Sequence, residues 1–312
     1  MIAGRLARYL LVMFPPVLGA LGAAAFFSIW LGLQALAGST PLRVGLHGAV
    51  GTLTAPLWML LVRLLDDLHD APADLRLAQA GDPRYRDRPT VTGAITLGEI
   101  RALALGTAGA ILVLNLLPGS PAMALAGPVA LLLTWLAFRW FFIPGLARNP
   151  GPLAYLARKS LAVLVGIYAL VAFRDRWPGG AIGALAVPLI LAPIFEVAAW
   201  EIARKIRLPA DETTYPTYSR LLGWRRAALA PGLFAGAAAG CLLAVGAGAA
   251  VGAGYQVVVV GAALVVVAAG LRLRLGPTPA RARLEPVARL FAALAHGGLV
   301  VALVLRHGLA AR

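Results

Sequence analysis

Nine stretches of this chain are each long and apolar enough to lie inside a lipid bilayer, and that fixes the fold class before any single residue is considered. A helix that crosses the hydrocarbon core needs about 20 mostly apolar residues. Runs of this kind occupy 10–37, 44–65, 98–117, 121–143, 154–173, 180–202, 225–246, 249–271 and 285–306. Backbone groups in lipid must bond within their own segment, so runs of this length read as helices. Gly119-Ser120-Pro121, Trp177-Pro178-Gly179-Gly180 and Gly246-Ala247-Gly248 mark short turns between them. The composition agrees: 60% of residues are hydrophobic and 13% are charged, against about 25% charged in a soluble domain. The expected fold is all-α: a polytopic membrane protein, one integral-membrane domain over 1–312, with nine transmembrane helices around a central cavity open to the cytoplasmic side.

The charge pattern orients the bundle. Net charge is +15, nearly all of it from arginine, since Lys159 and Lys205 are the only lysines. A basic chain invites a nucleic-acid reading, but here the cations sit between apolar runs, where positive cytoplasmic loops account for them. With a cytoplasmic N-terminus, every Lys and Arg falls on or near the cytoplasmic side except Arg43, Arg174, Arg176, Arg306 and Arg312. The expected location is a bacterial-type inner membrane, with no nucleic-acid partner. Cys241 is the sole cysteine and excludes an intrachain disulfide. No cleavable signal peptide, soluble domain or short-period repeat is evident.

The acids are not scattered. Asp66, Asp67, Asp70, Asp74, Asp82 and Asp87 follow the second run, and Glu196, Glu201, Asp211 and Glu212 lie at the end of the sixth run or just after it. Both windows fall on the cytoplasmic side, so polar segments at about 66–97 and 203–224 are the expected site. Asp67, Asp70 and Asp74 are spaced three and then four apart, which puts them on one face of a helix. Like charges on one face repel and call for a cation. Oxygen donors of this sort suit Mg²⁺, which is often shared between carboxylates and a substrate's phosphates. Arg63, Arg76, Arg84, Arg86 and Arg88 accompany them, and guanidinium forks match phosphate oxygens. A solvated helix end with ordinary ion pairs is the alternative.

Asp66-Asp67-x-x-Asp70-x-x-x-Asp74, followed by Arg88-Pro89 and Gly93, resembles the first aspartate motif of the UbiA-type intramembrane prenyltransferases. That motif usually reads Asn-Asp-x-x-Asp-x-x-x-Asp, so Asp66 stands at the asparagine position. The nine runs and the place of the motif after the second run also resemble the family. The second motif, usually Asp-x-x-x-Asp after the sixth helix, is irregular here. Glu201 matches the first aspartate, Lys205 stands where the second would be, and Asp211 or Glu212 could reach back as a ligand. Glu201 and Lys205 also read as a plain i,i+4 ion pair. Tyr155, Arg158 and Lys159 resemble the family's diphosphate-contacting tyrosine and basic pair, with Ser160 in place of the second basic residue.

The resemblance implies Mg²⁺-dependent transfer of a prenyl group from an isoprenyl diphosphate to an aromatic or other lipophilic acceptor within membrane lipid. It implies that Asp67, Asp70 and Asp74, assisted by Asp66, hold the metal. Glu201, with Asp211 or Glu212, would bind a second ion or orient the first. Arg63, Arg88, Lys159, Arg204 and Lys205 would neutralise the diphosphate. A terpene cyclase on the same scaffold, a transporter and a non-catalytic scaffold remain open alternatives. Arg139 lies in the fourth run, where it either lines the site or snorkels. His69 sits among the aspartates, while His47 and His296 lie in apolar runs and read as packing residues. Most tryptophans read as an interfacial belt, and Trp200 or Phe195 could shield a carbocation. No glycine-rich phosphate loop, nucleophile elbow or zinc spacing is present.

Overall fold

A computed structural model describes residues 2–140, 161–212 and 217–311. Tyr155, Arg158, Lys159 and Ser160 lie outside them, as does the side chain of Arg139. The helices are α1 (Ile2–Met13), α2 (Pro16–Leu36), α3 (Gly45–Gln79), α4 (Pro83–Arg86), α5 (Leu97–Leu116), α6 (Pro121–Trp140), α7 (Leu161–Arg176), α8 (Ala186–Arg204), α9 (Tyr218–Leu222), α10 (Trp224–Ala227), α11 (Ala230–Gly248), α12 (Ala253–Leu275) and α13 (Glu285–His307). Among the described residues, eight helical segments are long and apolar enough to cross a membrane. The fifth run is described from residue 161 onward, within the 16-residue α7. Large apolar side chains face outward, with Leu305 82% and Leu105 76% exposed, as lipid contact requires.

The long helices close a ring. Each packs on the next in the order α2, α3, α5, α6, α7, α8, α11, α12, α13, and α13 returns to α2. α2 also touches α7 and α8, so it runs close to the middle of the bundle. Close approach of α2 and α3 depends on two glycines. A Cβ at Gly51 would lie 1.9 Å from the Phe26 ring, and one at Gly48 would lie 2.5 Å from Trp30 Nε1. Small residues at a crossing let packing, rather than water exclusion, hold membrane helices together.

Buried polar contacts add register. Tyr168 donates to Asn115 Oδ1 at 2.8 Å, and Asn115 donates to Thr54 at 3.3 Å. Trp58 donates to Thr134 at 2.7 Å. These bonds link α3, α5, α6 and α7 where lipid offers no substitute partner.

The structure revises several boundaries. The first run divides at Phe14 and Pro15, because a proline cannot continue the preceding helix; Pro15 caps α2, and Pro16 opens it. The segment after the second run is not a loop at its start: α3 continues through Asp66–Asp74 to Gln79, carrying Pro56 and Pro72 within it. α8 begins at Ala186 rather than 180, after Trp177–Gly180 has made its turn. At the opposite end from the aspartates, β1 (Leu42–Arg43) pairs in parallel with β2 (Leu309–Ala310), tying the α2–α3 connection to the C-terminal end.

Candidate active site

The last turns of α3 place the acids. Asp67 and Asp74 are buried, Asp70 is half-buried and His69 is exposed. Asp67 is held from two helices: Arg63, one turn earlier, donates to its Oδ1 at 2.5 Å, and Tyr9 of α1 donates to its Oδ2 at 2.5 Å. Burial, with the Asp67 charge beside it, pushes the Tyr9 hydroxyl well above its ordinary range. α1 is itself docked through Arg5, which pairs with Glu99 at the start of α5. Glu99 also closes a capping box with Thr96.

Arg88 reaches back to Asp74 Oδ2 and stacks over Tyr85, with its guanidinium carbon 4.7 Å from the ring centre. The charges of Asp70 and Asp67 both act on Asp74. Asp70 and the Oδ1 atom of Asp74 make no hydrogen bond or ion pair among the described residues. Three carboxylates on one helix face, with hard oxygens still available, form a donor set that fits Mg²⁺ in kind. Among the described residues, no three Asp, Glu, His or Cys side chains are gathered tightly enough to hold an ion by themselves. An ion held on this face would need water or other oxygens to complete its coordination, as Mg²⁺ commonly does.

The end of α8 is built differently. Glu201 is buried, with 1% of its surface exposed, and takes Arg204 on both oxygens at 2.6 and 2.9 Å. Lys205 adds a third contact at 3.0 Å, so the i,i+4 pair is present. Arg204 also lies over Trp200, 5.1 Å from its ring centre, and Trp200 donates to Glu285 of α13 at 3.2 Å. One ring face of Trp200 is thus taken by a cation of the chain itself.

Asp211 is exposed, and its carbonyl accepts from Arg84 at 3.2 Å. Glu212 accepts from Thr217 at 2.7 and 2.8 Å. Arg84 thus meets the Asp211 main chain, and Thr217 meets the Glu212 carboxylate.

The two polar segments meet. The bond from Arg84 to Asp211 joins the α4 segment to the turn after α8. Arg207 lies at this junction, with its backbone N–H donating to Ser219 at 2.7 Å and its guanidinium donating to the carbonyls of Arg204 and Ile206. Burial, then the nearby Arg84 charge, lowers the Arg207 pKa from its ordinary value; Glu212 and Tyr85 oppose this, and Arg204 adds to it. Arg207 thus lies within reach of the Arg84 and Arg204 charges, and an anion beside it would offset them. Arg84 and Arg207 stood in the two polar windows of the sequence, but only the folded chain shows that they share a junction.

Two further ionisable pairs lie outside this junction. The packing role expected for His296 and His47 gives way to specific partners. His296 Nε2 lies 2.7 Å from Glu196 Oε2, and its Nδ1 lies 2.7 Å from Ser28 Oγ, all three buried at the meeting of α2, α8 and α13. His47 Nε2 lies 2.7 Å from Asp175 Oδ2 at the opposite end of the bundle. The available signal was an ionisable residue within an apolar run, which is costly unless partnered.

No protein-family model matches the chain, and no curated protein matches it at a significant level. Solved structures do match. A UbiA homologue from Aeropyrum pernix K1, in its apo form, aligns with TM-score 0.63 at 18% identity, over 89% of this chain and 97% of that one. A structure described as digeranylgeranylglyceryl phosphate synthase in membranes aligns with TM-score 0.56 at 14% identity, over 97% of this chain and 99% of that one. A UbiA homologue from Archaeoglobus fulgidus bound to DMAPP and Mg²⁺ aligns with TM-score 0.48 at 14% identity, over 94% and 99% of the two chains. Over nearly its whole length, the chain has the polytopic helical fold of the UbiA homologues.

Proposed function

We propose that the chain transfers a prenyl group from an isoprenyl diphosphate to an aromatic or other lipophilic acceptor, with Mg²⁺ as cofactor. The observation that carries this reading is the junction itself. An acid-rich end of α3 and a cation-rich end of α8 are joined on one face of an apolar bundle through Arg84, Asp211 and Arg207. A diphosphate is the ligand with both requirements: it brings a metal to carboxylates and negative oxygens to guanidinium groups. The fold shared with a structure described as digeranylgeranylglyceryl phosphate synthase supports the same reading.

Asp70 and Asp74, with Asp67 and with Asp66 assisting, would hold Mg²⁺. When bound, the ion supplies positive charge against the leaving diphosphate. Arg63, Arg88, Arg204 and Lys205, with Lys159 from the segment before α7, would take the remaining phosphate oxygens. Glu201 would keep Arg204 and Lys205 aimed, and Asp211 and Glu212 would stand at the rim. As the allylic C–O bond breaks, its electron pair leaves with the diphosphate, and cations already in place stabilise that charge. The acceptor's nucleophilic atom then bonds to the allylic carbon and gives up a proton. The helices would shield the isoprenoid tail from water and so limit simple hydrolysis. The positive-charge bias supports a cytoplasmic orientation for this face, in a bacterial-type inner membrane.

The test is pyrophosphate release by purified protein supplied with isoprenyl diphosphates of several lengths, with and without Mg²⁺. The expected result is release that depends on the metal and is lost in Asp70→Asn and Asp74→Asn proteins that still fold. Full turnover in both variants would remove the metal role, and product formed without any added acceptor would redirect the reading to a cyclase.

A further inference from the structure

The end of the bundle remote from the aspartates holds a second polar site. A cavity of about 350 Å³ opens there, lined by Trp30, Arg43, His47, Arg176 and Trp177 among others. A neighbouring hollow of about 310 Å³ shares Arg43 and Trp177 as walls. This is the end that the charge bias leaves poor in cations, so its arginines call for a reason.

The charges do not cancel. Asp175 is the one acid that the sequence supplies to this end, and it is occupied by His47 at 2.7 Å. Arg43 and Arg176 are both exposed, and neither has a carboxylate partner among the described residues. Among the described residues, two guanidinium groups therefore line one cavity without a carboxylate partner.

The cavity is also preorganised. Trp30, fully buried, donates its indole N–H to the Arg43 carbonyl at 2.9 Å. Gln34 brackets the same residue, donating to its carbonyl at 2.9 Å and accepting from its backbone N–H at 2.7 Å. The pairing of Leu42 with Leu309 fixes the preceding position. Trp177 packs on Trp30 with ring centres 5.3 Å apart, and Arg176 lies 5.6 Å from the centre of the Trp177 ring. The backbone of Arg43 is thus held from several sides while its side chain stays open.

We propose that this cavity binds the phosphate of an anionic phospholipid headgroup. The position suits that occupant. It lies where the ends of α2, α3 and α7 meet, its tryptophans are of the kind that sit at headgroup depth, and Leu46 on its rim is exposed, as an acyl chain beside the headgroup would require. Guanidinium groups pair well with phosphate oxygens. This site is independent of the prenyl-transfer reading.

Native mass spectrometry of the full chain released from mixed micelles tests it. With equal phosphatidylglycerol and phosphatidylcholine, the wild-type protein should retain phosphatidylglycerol preferentially. Arg43→Gln with Arg176→Gln should reduce that preference roughly tenfold or more. Arg43→Lys with Arg176→Lys, which keeps both charges, should restore much of it, and Arg306→Gln should leave it unchanged. An unselective wild-type protein, or a double glutamine variant as selective as wild type, would overturn the proposal. Displacement of the lipid by inorganic phosphate as readily as by further phosphatidylglycerol would overturn the lipid assignment and leave a free-anion pocket.

Discussion

The ends of α3 and α8 solve the same local problem in opposite ways. Each buries a carboxylate beside a basic residue one turn away: Asp67 with Arg63, and Glu201 with Arg204 and Lys205. At α3, two further acids, Asp70 and Asp74, share the face, and the local balance is negative. At α8 the buried acid Glu201 faces two cations, Arg204 and Lys205, with Arg207 nearby, and the balance at the helix end itself is positive. On the proposed reading, the first end would need a cation before it took a phosphate, whereas the second could take one directly. Lys205, at an expected aspartate position, would on that reading exchange metal bridging for a direct grip on phosphate.

The largest effect should come from removing charge at the negative end. Asp74→Asn should lower pyrophosphate release by about a hundredfold or more, the scale seen when one preplaced charge-stabilising group is lost. A steady-state assay across a Mg²⁺ titration checks this, and a variant unaffected at saturating metal would break the comparison.

Comparable in size is a change in stability deeper on α8. His296→Ala would leave Glu196 buried without its partner, at a cost of about 3 to 5 kcal/mol. Thermal unfolding in detergent should show a clear drop, while the Mg²⁺ dependence of surviving activity stays as in the wild type. A shifted metal dependence would mean that the pair belongs to the site after all.

Lys205→Ala should weaken apparent affinity for the diphosphate roughly tenfold, the scale of one charged hydrogen bond, with a smaller change in kcat. Lys205→Asp sharpens the contrast further: with Glu201 it would create a second acidic pair, so activity should require more Mg²⁺ than the wild type. An unchanged metal requirement in that variant would show that charge at this position does not decide how α8 holds phosphate. The smallest effect is expected from Trp200→Phe, which loses the bond to Glu285 and weakens the stacking of Arg204. A stability change of about 1 kcal/mol without altered metal dependence is the anticipated result in parallel melts and assays.

Much of this was legible in the sequence, for physical reasons. Bilayer thickness imposes a length on every spanning helix, so the apolar runs and their order could be read directly. The spacing of Asp67, Asp70 and Asp74 also declared a single helical face, and α3 carries them on one. What the sequence could not supply were contacts between distant segments. Tyr9 on Asp67, Arg84 on the Asp211 carbonyl and His296 against Glu196 depend on which helices become neighbours in the ring. Proline effects were only partly readable: Pro15 and Pro16 break the first run, yet Pro56 and Pro72 lie within α3, where neighbouring helices and side chains can satisfy the freed backbone groups.

The central claim is that the ends of α3 and α8 grip one diphosphate together. Its most direct test is calorimetric binding of a non-ionisable isoprenyl thiodiphosphate, in the presence of Mg²⁺, to the wild type and to Arg88→Gln and Arg204→Gln. The account predicts that each substitution, one beside Asp74 of α3 and one on α8, weakens binding by roughly tenfold. Affinity that falls for Arg88→Gln but stays at the wild-type value for Arg204→Gln would contradict it.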